Sequence, residues 1–387
     1  MSCLIMRKYL LVFLLATFSG RLSAQPAGEA WYRSYAGTIG KTVITMHLHK
    51  MGQEYYGYYY YDRTRQPIYF FGNDTTGAAG EIQLTAYIPG APRITLEDDA
   101  EMSESFSLAF SGNQLQGQWR KGEKGNPATV ALREKAGTIP FDMVFTKGDR
   151  KLRPSLPESP MADYFAGTVW PVKDNATSTF IRHAIREDFG AITGDEEIGQ
   201  VLLAQKNQVL NTYVEENKNL HDSLFTEFSS AYSLSEDRKL LVAFQSPALL
   251  TLASHAYAYT GGAHGNYGTT FICIDLAANK KIVLADVLTA AGIGRLGKEL
   301  EKEFRLQAGL KPNENLSDAG LFDNKIEPND NFYLTTKGIG FSYMPYEIAP
   351  YAMGEISLFL PFTKISSWLQ PAVQRWINTP KTSIPVE

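Results

Sequence analysis

The chain has 387 residues, of which 44% are hydrophobic and 20% charged. That balance excludes wholesale disorder, and the length suits two or three domains that each bury a core. The formal charge of -4 predicts no strongly basic face, so nucleic acid is not an expected partner, and there is no run of about 18 apolar residues to span a membrane as a helix.

Residues 1–24 read as a secretory signal. Arg7 and Lys8 precede the apolar run Tyr9 to Phe18, and Leu22-Ser23-Ala24 offers a small residue before Gln25. Cys3 lies upstream of that run, so a lipid anchor at the cleavage point is not expected. The expected location is periplasmic or secreted. Cleavage would remove three basic and no acidic side chains, taking the net charge from -4 to -7. The remaining cysteine, Cys273, sits in a strand-like run and reads as a small buried hydrophobe.

From Trp31 to about Phe145 the pattern is strand and turn, consistent with 12% aromatic residues, 32 Gly and 19 Pro. Ile44, Met46 and Leu48 alternate with Thr45, His47 and His49; Phe106, Leu108 and Phe110 repeat the pattern. Further strands are expected at Glu54–Tyr61, Pro67–Phe71, Glu81–Ile88, Arg93–Leu96, Leu115–Trp119 and Ala128–Leu132. Short consecutive strands predict an all-β antiparallel meander over 25–150, closed as a barrel or folded as a sandwich. Pro154, Pro157 and Pro160 predict an unpaired linker at 151–160. From 161 to 387 helices and strands mix. Helices are expected at Thr179–Phe189, Asp195–Asn217, Asp286–Ala308 and Ile365–Ile377. Strands are expected at Phe228–Leu234, Lys239–Gln245, Leu249–Tyr259, Thr269–Leu276, Lys281–Leu284, Phe332–Thr335, Gly338–Tyr343 and Glu355–Leu360. This predicts an α+β domain with an antiparallel sheet.

No nucleophile elbow, phosphate loop, dinucleotide fingerprint or metal-ligand spacing is present, and neither a cofactor nor a metal is expected. The loop from Thr260 to Asn266 reads first as a structural hairpin pinned by His264; read functionally, its glycines and His264 would take an anion or a sugar, or His264 would join His255 at a metal. His47 and His49 share one strand face, read as solvated, with a metal-binding pair as the functional alternative. In Tyr55–Tyr61, with Gly57 between the tyrosines, alternation puts Tyr56, Tyr58 and Tyr60 on one face and Tyr55, Tyr59 and Tyr61 on the other. One face reads as core and the other as a half-exposed strand surface, with a sugar-stacking platform as the functional alternative. Tyr346-Glu347-Ile348-Ala349-Pro350-Tyr351 crosses between two strands; its rings either plug the core edge or stack on a ligand.

Two segments carry a resemblance. One is Tyr259-Thr260-Gly261-Gly262-Ala263-His264 with Lys281-Ile282-Val283-Leu284-Ala285-Asp286-Val287. The other is Asn331-Phe332-Tyr333-Leu334, Gly338-Ile339-Gly340-Phe341 and Tyr346 to Gly354. Together they resemble the extracytoplasmic domain family of the RsiV anti-sigma factor and the PdaC peptidoglycan deacetylase, over about 165–380. The N-terminal part resembles β domains of unknown function in exported Bacteroidetes-type proteins. The resemblance implies a recognition module that binds a lysozyme-like protein or cell-wall glycan. The chain lacks the cytoplasmic sigma-binding segment and the deacetylase domain of those relatives. The leading expectation is therefore a secreted, non-catalytic binding protein of the cell envelope, with Gly261, Gly262, His264, Asn266, Tyr346, Glu347 and Tyr351 at the ligand. The alternative is an extracytoplasmic hydrolase using His264 and a carboxylate.

Overall fold

A computed structural model describes residues 29–74, 80–87, 103–122, 124–191 and 196–377. The expected signal segment 1–24 and the expected strand Arg93–Leu96 lie outside the described residues. Period-2 alternation in the N-terminal part produces β1 (Ala30–Ile39), β2 (Thr42–Met51), β3 (Glu54–Tyr61), β4 (Ile68–Asp74), β5 (Glu81–Tyr87), β6 (Ser103–Ser111), β7 (Gln114–Lys121) and β8 (Ala128–Glu134). Each pairs antiparallel with the next, and β8 returns to β1 from Tyr35↔Glu134 to Ile39↔Val130, so the sheet closes as a barrel. Closure leaves no free sheet edge. Ile44, Met46, Leu48, Tyr55, Tyr59, Phe70 and Phe106 fill the barrel core. Gly57 is required within β3 because a Cβ there would lie 1.9 Å from the His47 carbonyl oxygen of the neighbouring strand. Glu104 is buried in this core. It accepts from the Trp119 indole at 2.9 Å and from the Tyr61 and Tyr59 hydroxyls, which offset its loss of water.

The second sheet runs in the order β14-β13-β12-β11-β10-β9, with β9 (Phe141–Lys151), β10 (Met161–Pro171), β11 (Leu234–Gln245), β12 (Leu249–Tyr259), β13 (Asn266–Asp275) and β14 (Lys280–Lys281). β9 pairs with β10 along its whole length, Phe141↔Pro171 to Lys151↔Met161. The proline-rich stretch 151–160 is therefore the turn of a hairpin, not an interdomain linker. Its ends are tied: Leu152 N donates to Pro160 O at 2.9 Å and Arg153 N to Ser159 Oγ at 2.7 Å. The chain passes from barrel to sheet at 135–140 instead.

β10 and β11 are parallel, so this sheet is mixed. A parallel pair needs a crossover. Here it consists of α1 (Ala176–Asp188), α2 (Ile198–Asn217), α3 (Ser223–Phe228) and a 3-10 turn, Ser229–Tyr232. Asn175 caps α1 by accepting from Ser178 N at 2.9 Å. Ile181, Ala184 and Ile185 of α1 and Val201, Leu202 and Leu210 of α2 are buried. Phe228–Leu234 is thus mostly helical turn, and the strand expected from Lys239 starts at Leu234.

The expected helix Asp286–Ala308 divides into α4 (Leu284–Val287) and α5 (Ala290–Gln307), the second capped by Thr289. A three-stranded antiparallel sheet follows, β15 (Phe332–Leu334), β16 (Gly338–Tyr343) and β17 (Ile356–Pro361). The expected last helix is instead two 3-10 turns and α6 (Gln374–Ile377); Pro371 lacks the donor a continuous helix needs. Buried Asp275 holds this end, accepting from Arg375 at 3.0 Å and from the Trp376 indole at 3.1 Å.

The outer face of β2 and β3 packs on the second sheet, and this overturns two sequence readings. His47 and His49 are 1% and 0% exposed, not solvated. His49 Nε2 accepts from Val242 N at 3.0 Å and His47 Nδ1 lies 2.8 Å from the Tyr32 hydroxyl. In the tyrosine run Tyr55 and Tyr59 point into the barrel, while Tyr56, Tyr58 and Tyr60 enter the cores of the sheets. Both faces are buried, so the run is not a sugar-stacking platform. Cys273 is buried beside Thr251 and Phe332, and burial pushes its thiol up to about 12.

Candidate recognition surface

The loop 260–265 joins β12 to β13, and its glycines serve its geometry. Gly261 and Gly262 hold φ of 90° and 99°, and a Cβ on Gly261 would come 2.3 Å from Ala231 O. The loop meets the β16–β17 connection. His264 stacks on Tyr351 with centroids 3.8 Å apart, and Tyr346 lies within 5.7 Å of Tyr351 with its hydroxyl 3.4 Å from His264 Nε2. Tyr267 meets Tyr351 edge-on at 5.6 Å. The two segments belong to different sheets, so their proximity comes from packing of one sheet beside the other. Asn331 makes that joint: its side-chain amide donates to Thr269 O at 2.8 Å and accepts from Phe271 N at 3.1 Å, completing the free edge of β13.

Tyr346 is 55% exposed and adopts φ of 70°. Glu347 is a turn staple: its oxygens accept from Met344 N at 2.9 Å and from the Asn329 amide at 2.7 Å. Asn266 is exposed and accepts from Tyr267 N at 3.1 Å. Phe322, 54% exposed, bonds through its N–H to Ile348 O at 2.9 Å, which brings a further loop to the patch. That loop carries exposed Asp323, Glu327 and Asp330 against one lysine, Lys325. The patch is thus aromatic, and the loop that Phe322 ties to it is net acidic, with Glu327 paired to Lys325 at 3.5 Å.

His264 and His255 do not meet at a metal. His255 spends Nε2 on the Tyr58 hydroxyl at 2.8 Å and Nδ1 on Thr269 Oγ1 at 3.0 Å. Among the described residues no group of three His, Cys, Asp or Glu side chains is placed to hold a metal ion. His264 Nδ1 faces the Gly265 carbonyl at 2.9 Å rather than a carboxylate.

Behind the β12–β13 hairpin lies a cleft of about 700 Å³, which shares Tyr267 with the patch. Its floor is formed by register rows Glu236↔Ala258↔Asn266 and Arg238↔Ala256↔Gly268. One wall is α2 through Gln205, Gln208 and Val209; Met344 lies over Gly268. Arg238 is committed to Asp188, 3.1 Å away, and its guanidinium covers the Phe189 ring at 4.7 Å. Burial raises the Glu236 carboxyl. Of this cleft sequence reasoning named only Asn266. The available signal was the run of small side chains at alternate positions, Ser254-Ala256-Ala258 and Gly268-Thr270, on strands otherwise rich in large residues.

Residues 285–363 match the family described as protein of unknown function DUF3298. The match includes the Asn331–Gly354 segment and begins beyond the 260–265 loop. A crystal structure of a DUF3298 family member from Bacteroides fragilis is similar with a TM-score of 0.56 and 24% identity, over 63% of this chain and 100% of that one. A DUF3298 family protein from Pseudomonas aeruginosa aligns with a TM-score of 0.43 and 18% identity, over 60% of this chain and 96% of that one. No curated protein matches. No helix among the described residues is long and apolar enough to cross a membrane.

Proposed function

We propose that this chain is an exported, non-catalytic recognition protein of the cell envelope, delivered by cleavage of residues 1–24, and that the aromatic patch is its partner surface. The observation that carries the reading is the convergence of His264, Tyr346 and Tyr351 from two loops, with Tyr346 held outward in a left-handed conformation. Tyrosine supplies large, rigid contact area at small entropic cost, and strained exposed residues concentrate at functional sites. The net acidic adjoining loop favours a basic partner, which agrees with the lysozyme-like protein implied by the RsiV-type resemblance; cell-wall glycan is the second ligand class of that resemblance. The hydrolase alternative draws no support from His264, whose ring is stacked and whose nitrogens face a carbonyl and a phenol.

The test is calorimetric titration of the protein from Gln25 onward with a basic lysozyme at low and high salt. Binding should weaken with salt, and Tyr346→Ala or Tyr351→Ala should each cost more than about 1 kcal/mol of affinity with the melting temperature nearly unchanged. Loss of thermal stability without loss of affinity would make the tyrosines packing elements and remove the proposal.

A further inference from the structure

The cleft behind the β12–β13 hairpin is a second surface, separate in chemistry from the aromatic patch. A sheet face normally carries large side chains or a covering helix. Here α2 stands over β9 and β10, while Ala256, Ala258, Asn266 and Thr270 remain exposed on the face of β12 and β13. The volume, about 700 Å³, falls within the range of small-molecule sites.

The side chains around this space restrict what can fill it. Arg238, the cation on its floor, is neutralised by Asp188, which also accepts from Ser254 Oγ at 2.8 Å. An anionic ligand therefore finds no free positive charge there. A lipid would meet too many polar groups: Gln205, Gln208, Asn266 and Thr270 present amides and a hydroxyl, and Glu236 presents a carboxylate. Among the described residues the side chains of Glu236, Gln208 and Thr270 make no hydrogen bond or ion pair, so their side-chain capacity is unused. An amide offers a donor and an acceptor side by side, and a carboxylate accepts from hydroxyls. Tyr164 and Tyr257 add aromatic surface at the margins. We infer that this cleft binds a neutral, hydroxyl-rich ligand, an oligosaccharide of a few rings, lying along the small-residue floor with Glu236 and Gln208 taking its hydroxyls.

This inference stands apart from the partner reading of the aromatic patch, and the experiment keeps them apart. The protein is titrated with chitotriose and maltotriose, and with a trigalacturonate as the anionic control, followed by backbone amide shifts. Saturable shifts from a neutral trisaccharide, centred on Ala256, Ala258 and Thr270, are expected, with none from trigalacturonate. Ala258→Tyr fills the floor at an exposed position and should weaken binding by about tenfold or more, and Glu236→Gln, which preserves shape, should weaken it severalfold. Tyr346→Ala should leave it unchanged. No saturable shift from either neutral sugar at millimolar concentration, equal binding of the anionic sugar, or shifts that survive both cleft substitutions would overturn the inference, whatever the patch variants do to protein binding.

Discussion

Tyr346 shows how one residue combines backbone strain with display. A bulky side chain at φ of 70° costs on the order of 1–2 kcal/mol relative to the right-handed regions. The turn around it supplies compensation: Tyr346 N donates to Ala349 O and Glu347 N to Met344 O, each at 3.0 Å, and Glu347 staples the turn through its side chain. Two substitutions separate conformation from ring. Tyr346→Gly relieves the strain and should leave the melting temperature within a few degrees of wild type. Tyr346→Val keeps the strain, adds a β-branch and should destabilise by roughly 1–2 kcal/mol. Both remove the ring, so both should weaken partner binding alike. Equal thermal stability of the two variants would show that the turn does not constrain this φ. His264 and Tyr351 were visible in the sequence because glycines and aromatics are conspicuous in a loop. Glu236 and Ala256 were not, because a cleft made by the omission of large side chains leaves little local pattern.

At the scale of elements, alternation and turns were enough to place β2 to β8, since each barrel strand has one face in the core, while β1 fell only under the general strand-and-turn reading from Trp31. What the sequence left ambiguous was the pairing of β9. Its residues alternate like a barrel strand, and the prolines after it resemble a linker, yet β9 joins β10 in the second sheet. Strand pairing is a non-local choice that period-2 patterning does not encode. β10 itself carried no strand expectation, and its parallel pairing with β11 is a non-local choice of the same kind. The consequence can be measured by proteolysis. Pro154, Ser155 and Glu158 are exposed, so a nick there is tolerable. The fragments should stay together on a sizing column under native conditions, because β9 remains paired along its length and Phe141 and Met143 are buried in the sheet core. Spontaneous separation into fragments ending and starting near the nick would restore the linker.

The whole molecule is joined across a seam between the barrel wall and the second sheet, and three imidazoles lie in it. Burial pushes His47, His49 and His255 each down to about 3. Nearby Lys135 acts in the same direction on His47, and Lys239 on His255; His47 and His255 add to the effect on His49, while a bond to the Tyr56 carbonyl opposes it. The other faces of the seam are phenols: Tyr32 and Tyr58 bond His47 and His255, and the Tyr69 ring lies 4.3 Å from that of His255. Glu355 closes the chain by accepting from Thr269 at 3.0 Å. A histidine whose folded pKa is depressed is neutral in the folded state while the unfolded chain takes up protons below about pH 6.5. Stability is then full above that value and falls steadily as the pH drops toward 3. At pH 5 the loss is about 2 kcal/mol for one such histidine, already a sizeable share of a typical folding free energy. Glu104, Glu236 and Asp237, with carboxyls raised by burial, oppose this trend, because the folded state takes up their protons before the unfolded chain does. Denaturant melts at pH 7 and pH 5 should therefore show a marked loss at the lower value, reversible on neutralisation. His47→Phe, which also removes the ring nitrogen that has no partner at His47 Nε2, should shrink the loss by about 2 kcal/mol. If stability is flat between the two pH values, the seam is wet enough for the imidazoles to titrate normally, and the barrel does not rest on neutral histidines.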